Sequence, residues 1–114
     1  MNSGYQRGDV WLINFDPVIG HEQGGQRPGL IISVDAFNAS AGYDLFAIPI
    51  TSKFRPIRSR VTIRTPEGGL ALDSFIVCEK TRSLSKERLK KKIGRVSEGT
   101  LLEVEAILKR ILGL

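Results

Sequence analysis

Apolar and polar residues alternate in short runs along most of the chain, a pattern typical of a small sheet. The first run carries β-branched and aromatic side chains and ends at the turn-forming pair Asp16-Pro17. The second begins at Pro28, because proline is tolerated at the first position of a strand. The third run is apolar enough to lie at the centre of a sheet. The predicted strands are residues 8–15, 28–34, 43–50, 60–64 and 74–78, with a short sixth strand at 92–96.

The end of the chain follows a helical period instead. Its apolar stripe is formed by Leu101, Val104, Leu108 and Ile111. Ser97 is the predicted N-cap, and the acidic first turn and basic last turn match the helix dipole. Ser85 likewise predicts a short basic helix, whereas residues 35–42, 53–58 and 66–69 are predicted to be loops or turns.

These elements predict one mainly β domain over residues 1–114 with a C-terminal helix. Short strands and tight turns favour a strongly bent sheet or a partly open barrel. The single cysteine, Cys78, excludes an internal disulfide and a cysteine-based zinc site, and its apolar surroundings in sequence predict a buried core residue. Since no apolar run approaches a membrane span and no signal-peptide pattern is present, we expect a cytoplasmic protein without membrane contact.

The positive charge of the chain is clustered. The net charge is +5, and most of the Lys and Arg residues fall into two blocks. The first block is Lys53, Arg55, Arg58, Arg60 and Arg64, and the second is Lys80, Arg82, Lys86, Arg88, Lys90, Lys91, Lys92 and Arg95. Such clustering favours an anionic partner, either a nucleic acid or an acidic protein segment, over a merely solvated face.

The side chains with the most chemistry lie between the first two predicted strands. Residues 20–28 read Gly-His-Glu-Gln-Gly-Gly-Gln-Arg-Pro. These side chains can transfer protons, accept hydrogen bonds or pair with phosphate, and the glycines let the backbone approach a ligand closely. The stretch matches neither the dinucleotide-binding nor the P-loop glycine pattern. Its spacing alone therefore leaves two alternatives, a functional site and an ordinary polar hairpin loop.

This stretch is one of a series of motifs along the chain. It is preceded by Arg7-Gly8-Asp9-Val10-Trp11 and Asp16-Pro17, and followed by Pro49-Ile50-Thr51-Ser52 and Cys78-Glu79-Lys80-Thr81-Arg82. In this order and spacing, over nearly the whole chain, the motifs resemble those of the MazF/PemK (Kid) family of toxin endoribonucleases. The resemblance implies a small SH3-like β-barrel of the MazF/PemK/CcdB type, a homodimer and a cognate antitoxin protein.

The resemblance also implies metal-independent, sequence-specific cleavage of single-stranded RNA, chiefly mRNA, by attack of the 2′-hydroxyl to give a 2′,3′-cyclic phosphate. No cofactor is expected, and the sequence shows no metal-ligand spacing. Two alternatives are a CcdB-like toxin that inhibits DNA gyrase and a non-catalytic RNA-binding barrel. The gyrase-inhibiting branch uses a tryptophan near its C-terminal tip, whereas Trp11 lies in the first predicted strand, so the residues disfavour it.

Such cleavage needs a general base, a general acid and a cation at the phosphate. Arg27 suits the cation role, because its planar fork matches phosphate oxygens and stays charged. Thr51, with Ser52 as a possible substitute, can hydrogen-bond a phosphate oxygen. His21 has the ordinary pKa nearest neutrality, and Glu22 is an alternative base. Arg27 and Thr51 fall on matching positions of the family motif, and the PemK/Kid branch gives the histidine a part in catalysis or substrate binding.

The chain departs from the PemK/Kid pattern around its cysteine. That branch reads Arg-Cys-Asp where this chain has Val77-Cys78-Glu79. Glu79 is therefore a candidate only as a base or as an orienting group. The identity of the general base stays open among His21, Glu22 and Glu79.

RNA binding is expected to involve polar and basic side chains on both sides of these positions. The candidates are Gln23, Ser52, Lys53, Arg55, Arg58 and Arg82. Base recognition in single-stranded RNA also uses stacking on aromatic side chains, for which Phe37, Tyr43 and Phe54 are candidates. Core packing is nevertheless the commoner role of each aromatic residue.

Overall fold

The computed structural model describes residues 4–16, 24–40, 42 and 44–114. The strands are β1 Asp9–Asn14, β2 Gln26–Ile31, β3 Leu45–Thr51, β4 Arg60–Ile63, β5 Ser74–Val77, β6 Arg82–Leu84 and β7 Leu89–Arg95. The helices are α1 Asp35–Ala39 and α2 Glu98–Leu112. Short 3₁₀ turns occupy Glu67–Gly69, Cys78–Lys80 and Lys86–Arg88.

The strands form one antiparallel sheet in the order β4-β5-β3-β2-β1-β7. Strand β3 lies at its centre: one edge pairs with β2, and the other pairs with β6 near its start and with β5 at its end. The path of paired strands ends at β4 and β7, so the barrel is open. The mainly β class with a C-terminal helix, predicted from the sequence, is confirmed.

Both faces of the central strands are buried. Leu30 lies opposite Ile48 and Ile31 lies opposite Ala47 across β2 and β3, and all four are fully buried. Because successive side chains of a strand point to opposite faces, the first pair enters one apolar cluster and the second pair enters another. Helix α2 covers the first cluster with Leu101, Val104 and Ile107. Burial on both faces explains why these strands read as almost continuous apolar runs.

The turn between β4 and β5 lies directly against β7. A Cβ at Gly69, whose φ is 72°, would lie 2.2 Å from the carbonyl oxygen of Ile93. A Cβ at Gly94 would lie 2.6 Å from the carbonyl carbon of Gly68. Glycines therefore let the two backbones meet, and this contact links the two edges that strand pairing leaves open.

Some predicted elements differ from the structure. Residues 35–39, expected in a loop, form α1, where the buried Asn38 amide donates to the carbonyl oxygens of Tyr5 and Ser33. The helix expected after Ser85 is a single 3₁₀ turn. Strand β6 was not predicted, because three residues carry no recognisable period and become a strand only by pairing with β3.

Two differences bear on the candidate site. Strand β2 begins at Gln26 rather than Pro28, so Arg27 lies on a strand and not in a loop. Arg60, counted in the first basic block, lies on β4 with a side chain that is only 7% exposed, so most of this cation is buried rather than free on the surface. Cys78, by contrast, is buried as predicted.

The start of α2 is capped twice. The Ser97 hydroxyl accepts the backbone N–H of Thr100 at 3.2 Å, which confirms the predicted N-cap. The Glu67 carboxylate accepts the backbone N–H of Ser97 at 3.0 Å and the Thr100 hydroxyl at 2.6 Å. Glu67 thus ties the β4–β5 turn to the helix. Within the described residues, no helix is long and apolar enough to cross a membrane.

This cap makes the stability of the fold depend on pH. Burial raises the pKa of Glu67, but the hydrogen bonds from Ser97 and Thr100 outweigh it, so the pKa lies below its ordinary value of 4.5. A lowered pKa in the folded state means that the interaction stabilises the fold fully above the unfolded pKa. The stabilisation is lost as the pH falls through the folded pKa.

We therefore expect Glu67→Ala to lower the free energy of unfolding at pH 7 by about 0.5–2 kcal/mol, the usual cost of a lost helix cap. The difference from the unsubstituted chain should shrink as the pH falls below the ordinary value of 4.5. Urea unfolding at several pH values measures it. Glu103→Ala, on the exposed face of α2, is the matched control. An equal loss from both substitutions, or a loss independent of pH, would contradict the role of Glu67.

Candidate functional site

A cleft of about 400 Å³ lies at the end of β3, between β2 and the loop that follows β3. Its polar lining residues are Gln26, Arg27, Thr51, Ser52, Lys53, Arg55 and Arg60. Apolar walls come from neighbouring strand residues, among them Leu12 and Ile50. Five of the polar residues were selected from the sequence, and the structure brings them into one cleft.

Strand pairing sets Arg27 beside Thr51. Strands β2 and β3 run antiparallel with Gly29 opposite Pro49. When this register is continued by two residues, Arg27 comes level with Thr51. Opposed side chains on antiparallel strands lie on the same face. The two residues predicted to bind phosphate therefore converge from neighbouring strands, which hold them more rigidly than a loop would.

Local hydrogen bonds orient both side chains and leave donors available. Arg27 Nε donates to the carbonyl oxygen of Gly24 at 2.8 Å, while its terminal nitrogens have no partner among the described residues. Thr51 is 9% exposed, and its Oγ1 accepts the backbone N–H of Lys53 at 3.2 Å. Because the hydroxyl is an acceptor in that bond, its own proton remains available to a ligand in the cleft.

Arg60 lines the same cleft, and hydrogen bonds to the Glu79 carboxylate hold its guanidinium in place. Arg60 Nε and Nη2 donate to Glu79 Oε2 at 3.2 and 3.1 Å, and the Ser59 hydroxyl donates to Oε1 at 2.6 Å. Burial raises the pKa of Glu79, but the hydrogen bonds from Ser59 and Arg60 outweigh it, so the net pKa lies below the ordinary value of 4.5. A carboxylate with both oxygens occupied and a lowered pKa is suited to orienting Arg60 rather than to taking up a proton.

Of the four cations that line the cleft, three have no compensating acid in the described part of the chain, and only Arg60 is paired, with Glu79. Lys53 and Arg55 have no ion-pair partner in the described part of the chain, and Arg27 bonds only to a backbone oxygen there. The surrounding cleft surface thus carries excess positive charge, with a hydroxyl donor at its centre. This arrangement can bind an anion such as phosphate and can stabilise negative charge that develops on it.

The second basic block is largely used within the fold. Arg82 and Arg88 donate to the carbonyl oxygens of Phe15 and Asn14, at 3.4 and 3.2 Å. Arg95 pairs with the buried Asp9 at 2.7 Å. The bonds to backbone oxygens hold Arg82 and Arg88 against the end of β1 but leave both side chains charged, whereas Asp9 offsets the charge of Arg95.

The remaining predicted residues lie elsewhere. Arg58 lines a separate shallow pocket against α2 with Arg110, and Arg82 lies on β6. Neither lines the cleft. His21, Glu22 and Gln23 lie outside the described residues.

Sequence reasoning missed Arg60 and Gln26 as members of the cleft. Arg60 was counted in the first basic block, but its burial and its pairing with Glu79 depend on the register between β4 and β5. That register sets Arg60 directly opposite Val77. Gln26 precedes Arg27 in the stretch of residues 20–28. A polar residue at the start of an otherwise apolar strand is the sequence feature that could have indicated its place in the cleft.

Cys78 lies near the Arg60–Glu79 pair but is not reactive. Its side chain is 1% exposed, and burial, with the adjacent Glu79 charge, raises its pKa to about 12. The thiol is therefore protonated at neutral pH and acts as a small core residue.

Residues 6–112 match the family model described as PemK-like, MazF-like toxin of type II toxin–antitoxin system. An endoribonuclease MazF from Staphylococcus epidermidis is 40% identical over 96% of this chain and 92% of its own length. The crystal structure of MazF from Deinococcus radiodurans superposes with a TM-score of 0.86 at 31% identity, over 96% of this chain and 97% of that one. A mycobacterial endoribonuclease solved in complex with its cognate antitoxin gives a TM-score of 0.77 at 25% identity, with 96% of each chain covered.

Proposed function

The chain belongs to the PemK-like, MazF-like toxins of type II toxin–antitoxin systems, and from that premise we propose that it is a cytoplasmic endoribonuclease that cleaves single-stranded RNA, chiefly mRNA. The proposed toxin domain spans residues 1–114. The observation that carries the proposal is the convergence of Arg27 and Thr51, at one level of neighbouring strands, in a cleft lined by further cations. Its relatives from Staphylococcus epidermidis and Mycobacterium tuberculosis are named as endoribonucleases.

The reaction we propose needs no metal. The 2′-hydroxyl of one nucleotide gives its proton to the general base and attacks the adjacent phosphorus, and the bond to the 5′-oxygen breaks. The 5′-oxygen takes up a proton and leaves as the 5′-hydroxyl of the downstream fragment, and the upstream fragment ends in a 2′,3′-cyclic phosphate. Arg27 donates from its terminal nitrogens to the phosphate oxygens and stabilises the charge of the transition state. The Thr51 hydroxyl donates a hydrogen bond to a phosphate oxygen, and Ser52 lies beside Thr51 in the cleft.

Arg60 is the second cation of the proposed mechanism. It reaches the cleft from β4, and the Glu79 carboxylate fixes its guanidinium. The Arg60–Glu79 pair places a buried cation directly opposite Val77. Val77 stands at the position where the PemK/Kid pattern has an arginine. We therefore assign Glu79 the orienting role, which leaves His21 as the proposed general base and Glu22 as its alternative. Lys53 and Arg55 bind neighbouring phosphates, and Gln23, Arg58 and Arg82 are peripheral RNA contacts.

Two protein partners follow from the family. An acidic segment of a cognate antitoxin would compete with RNA for the cleft, since both are anionic. A second copy of the chain would cover a groove of about 550 Å³ that exposes Phe46, Ile111 and Leu112, because apolar surface of this kind marks association sites. A monomer at micromolar concentration in sedimentation equilibrium would contradict the dimer, and a stable ternary complex of toxin, antitoxin and RNA would contradict the competition.

Arg27→Ala should remove most of the cleavage activity and leave the fold intact, because the side chain contributes a charge to the cleft and little to the core. One preorganised donor to the transition state is worth roughly 10²–10³ in rate. Single-turnover cleavage of a long transcript measures the loss, with thermal unfolding as the check on the fold. Arg64→Ala is the matched control, since Arg64 is 79% exposed at its side chain and lies outside the cleft. A near-normal rate for Arg27→Ala would remove Arg27 from the mechanism.

The end groups of the RNA fragments should identify the 2′-hydroxyl as the nucleophile. Cleavage should persist in EDTA, and mass spectrometry of the upstream fragment should show a 2′,3′-cyclic phosphate. An oligonucleotide with a 2′-O-methyl group at the mapped target nucleotide should bind but remain uncut, because it lacks the attacking hydroxyl. Cleavage of that oligonucleotide would exclude 2′-hydroxyl attack.

The pH profile should separate the base from the orienting group. If His21 takes the proton, the single-turnover profile has a limb near pH 6.5, its ordinary pKa, and His21→Gln removes that limb at a cost of about 10²–10⁴ in rate. Glu79→Gln should lower the rate without changing the shape of the profile, because it weakens the hold on Arg60. A limb that vanishes in Glu79→Gln and persists in His21→Gln would reverse the two roles, and Glu22→Gln tests the remaining candidate.

A further inference from the structure

Phe54 is an aromatic side chain that the fold leaves in solvent. Its residue is 70% exposed, in a loop whose residues from Ser52 to Arg58 are all exposed. Phe15, by comparison, is fully buried in an apolar cluster. The core role that is usual for a phenylalanine therefore does not apply to Phe54, and burying more of this ring would be favourable.

The exposed ring has a defined place on the protein. It packs edge-on against Phe75 with 5.6 Å between ring centroids and 66° between ring planes. Phe75 lies on β5 directly opposite Thr51. An edge-on contact occupies part of the ring and leaves aromatic surface open to a ligand. Phe54 is thus anchored to the sheet at the strand position next to the cleft.

The sequence neighbours of Phe54 belong to the cleft. Lys53 and Arg55 both line it, and neither has an ion-pair partner in the described ranges. A hydrogen bond from the Lys53 N–H to Thr51 Oγ1 fixes the backbone conformation at the start of the loop. An aromatic ring between two unpaired cations is the combination by which proteins bind single-stranded nucleic acid: the cations follow the backbone, and a base stacks on the ring.

We propose that Phe54 is the stacking platform for a nucleobase of single-stranded RNA, beside the cleft in which Arg27 and Thr51 hold the phosphate. The inference rests on the proposed function, because it takes RNA as the ligand of the cleft. Phe54 contributes binding of any base through its π-face and helps place the scissile phosphate. Its contribution to the stability of the fold is small, since most of its surface is already in water.

The test measures binding apart from cleavage. The probe is a fluorescein-labelled, single-stranded 2′-O-methyl RNA of mixed sequence, which cannot be cut by 2′-hydroxyl attack. A second probe has the same sugar–phosphate chain without bases. Dissociation constants are measured by fluorescence anisotropy at one fixed salt concentration for the unsubstituted chain, Phe54→Ala, Phe54→Leu, Phe54→Trp and a control. The control is Leu102→Ala, because Leu102 is similarly apolar, 62% exposed and outside the cleft.

Phe54→Ala should weaken binding of the base-containing probe about 5- to 150-fold, the range of one stacked base. Phe54→Leu should behave like the alanine variant, because it keeps apolar volume without a π-face, whereas Phe54→Trp should bind at least as tightly as phenylalanine. Binding of the abasic probe should be the same in all variants. Leu102→Ala should bind both probes normally, and all melting temperatures should agree within a few degrees.

Three outcomes would overturn the inference. Unchanged binding by Phe54→Ala would show that no base stacks there, and equal weakening of both probes would show that the ring acts on the loop. In either case, continued cleavage of RNA by the unsubstituted chain would leave the proposed function standing. If the unsubstituted chain neither bound the probe nor cleaved a transcript, the proposed function and this inference would fail together.

Discussion

The antiparallel register between β2 and β3 is the constraint on which both the core and the cleft depend. It pairs Leu30 with Ile48 and Ile31 with Ala47, so each face of the sheet receives one fully buried pair. The same register, continued to the strand ends, sets Arg27 level with Thr51. A slip of one residue would turn every side chain of one strand to the other face. The energy that holds the core in register therefore also positions the two residues proposed to bind phosphate.

Some basic side chains are bonded within the fold, whereas others remain available to a ligand. Arg82, Arg88 and Arg95 are satisfied by backbone oxygens or by the buried Asp9, so they hold strands together. Lys53 and Arg55, on the loop beside Thr51, have no acid to pair with in the described parts of the chain. Charges of one sign held close together repel each other, and a bound anion relieves that repulsion. Such a site is suited to the phosphate chain of RNA.

Rigid and adaptable parts of the proposed site have different origins. Thr51 and Arg60 belong to strands, and Arg60 is fixed further by Glu79, whose other oxygen accepts the Ser59 hydroxyl, so their donors are held in place before a ligand arrives. Lys53, Phe54 and Arg55 lie on an exposed loop, where side chains can follow a flexible single strand. Preorganised donors serve the chemical step, whereas adaptable contacts serve binding along the chain of nucleotides.

Features encoded by neighbouring residues were predictable from the sequence. The alternation of residues 8–15 and the helical stripe that follows Ser97 depend on local period and capping, and both elements formed as expected. The MazF/PemK motifs likewise pointed to the family and selected Arg27 and Thr51. Tertiary structure alone decided the short strand β6, the burial of Arg60 against Glu79 and the exposure of Phe54. Each of these depends on which strand lies alongside, and pairing partners distant in sequence leave no period to detect.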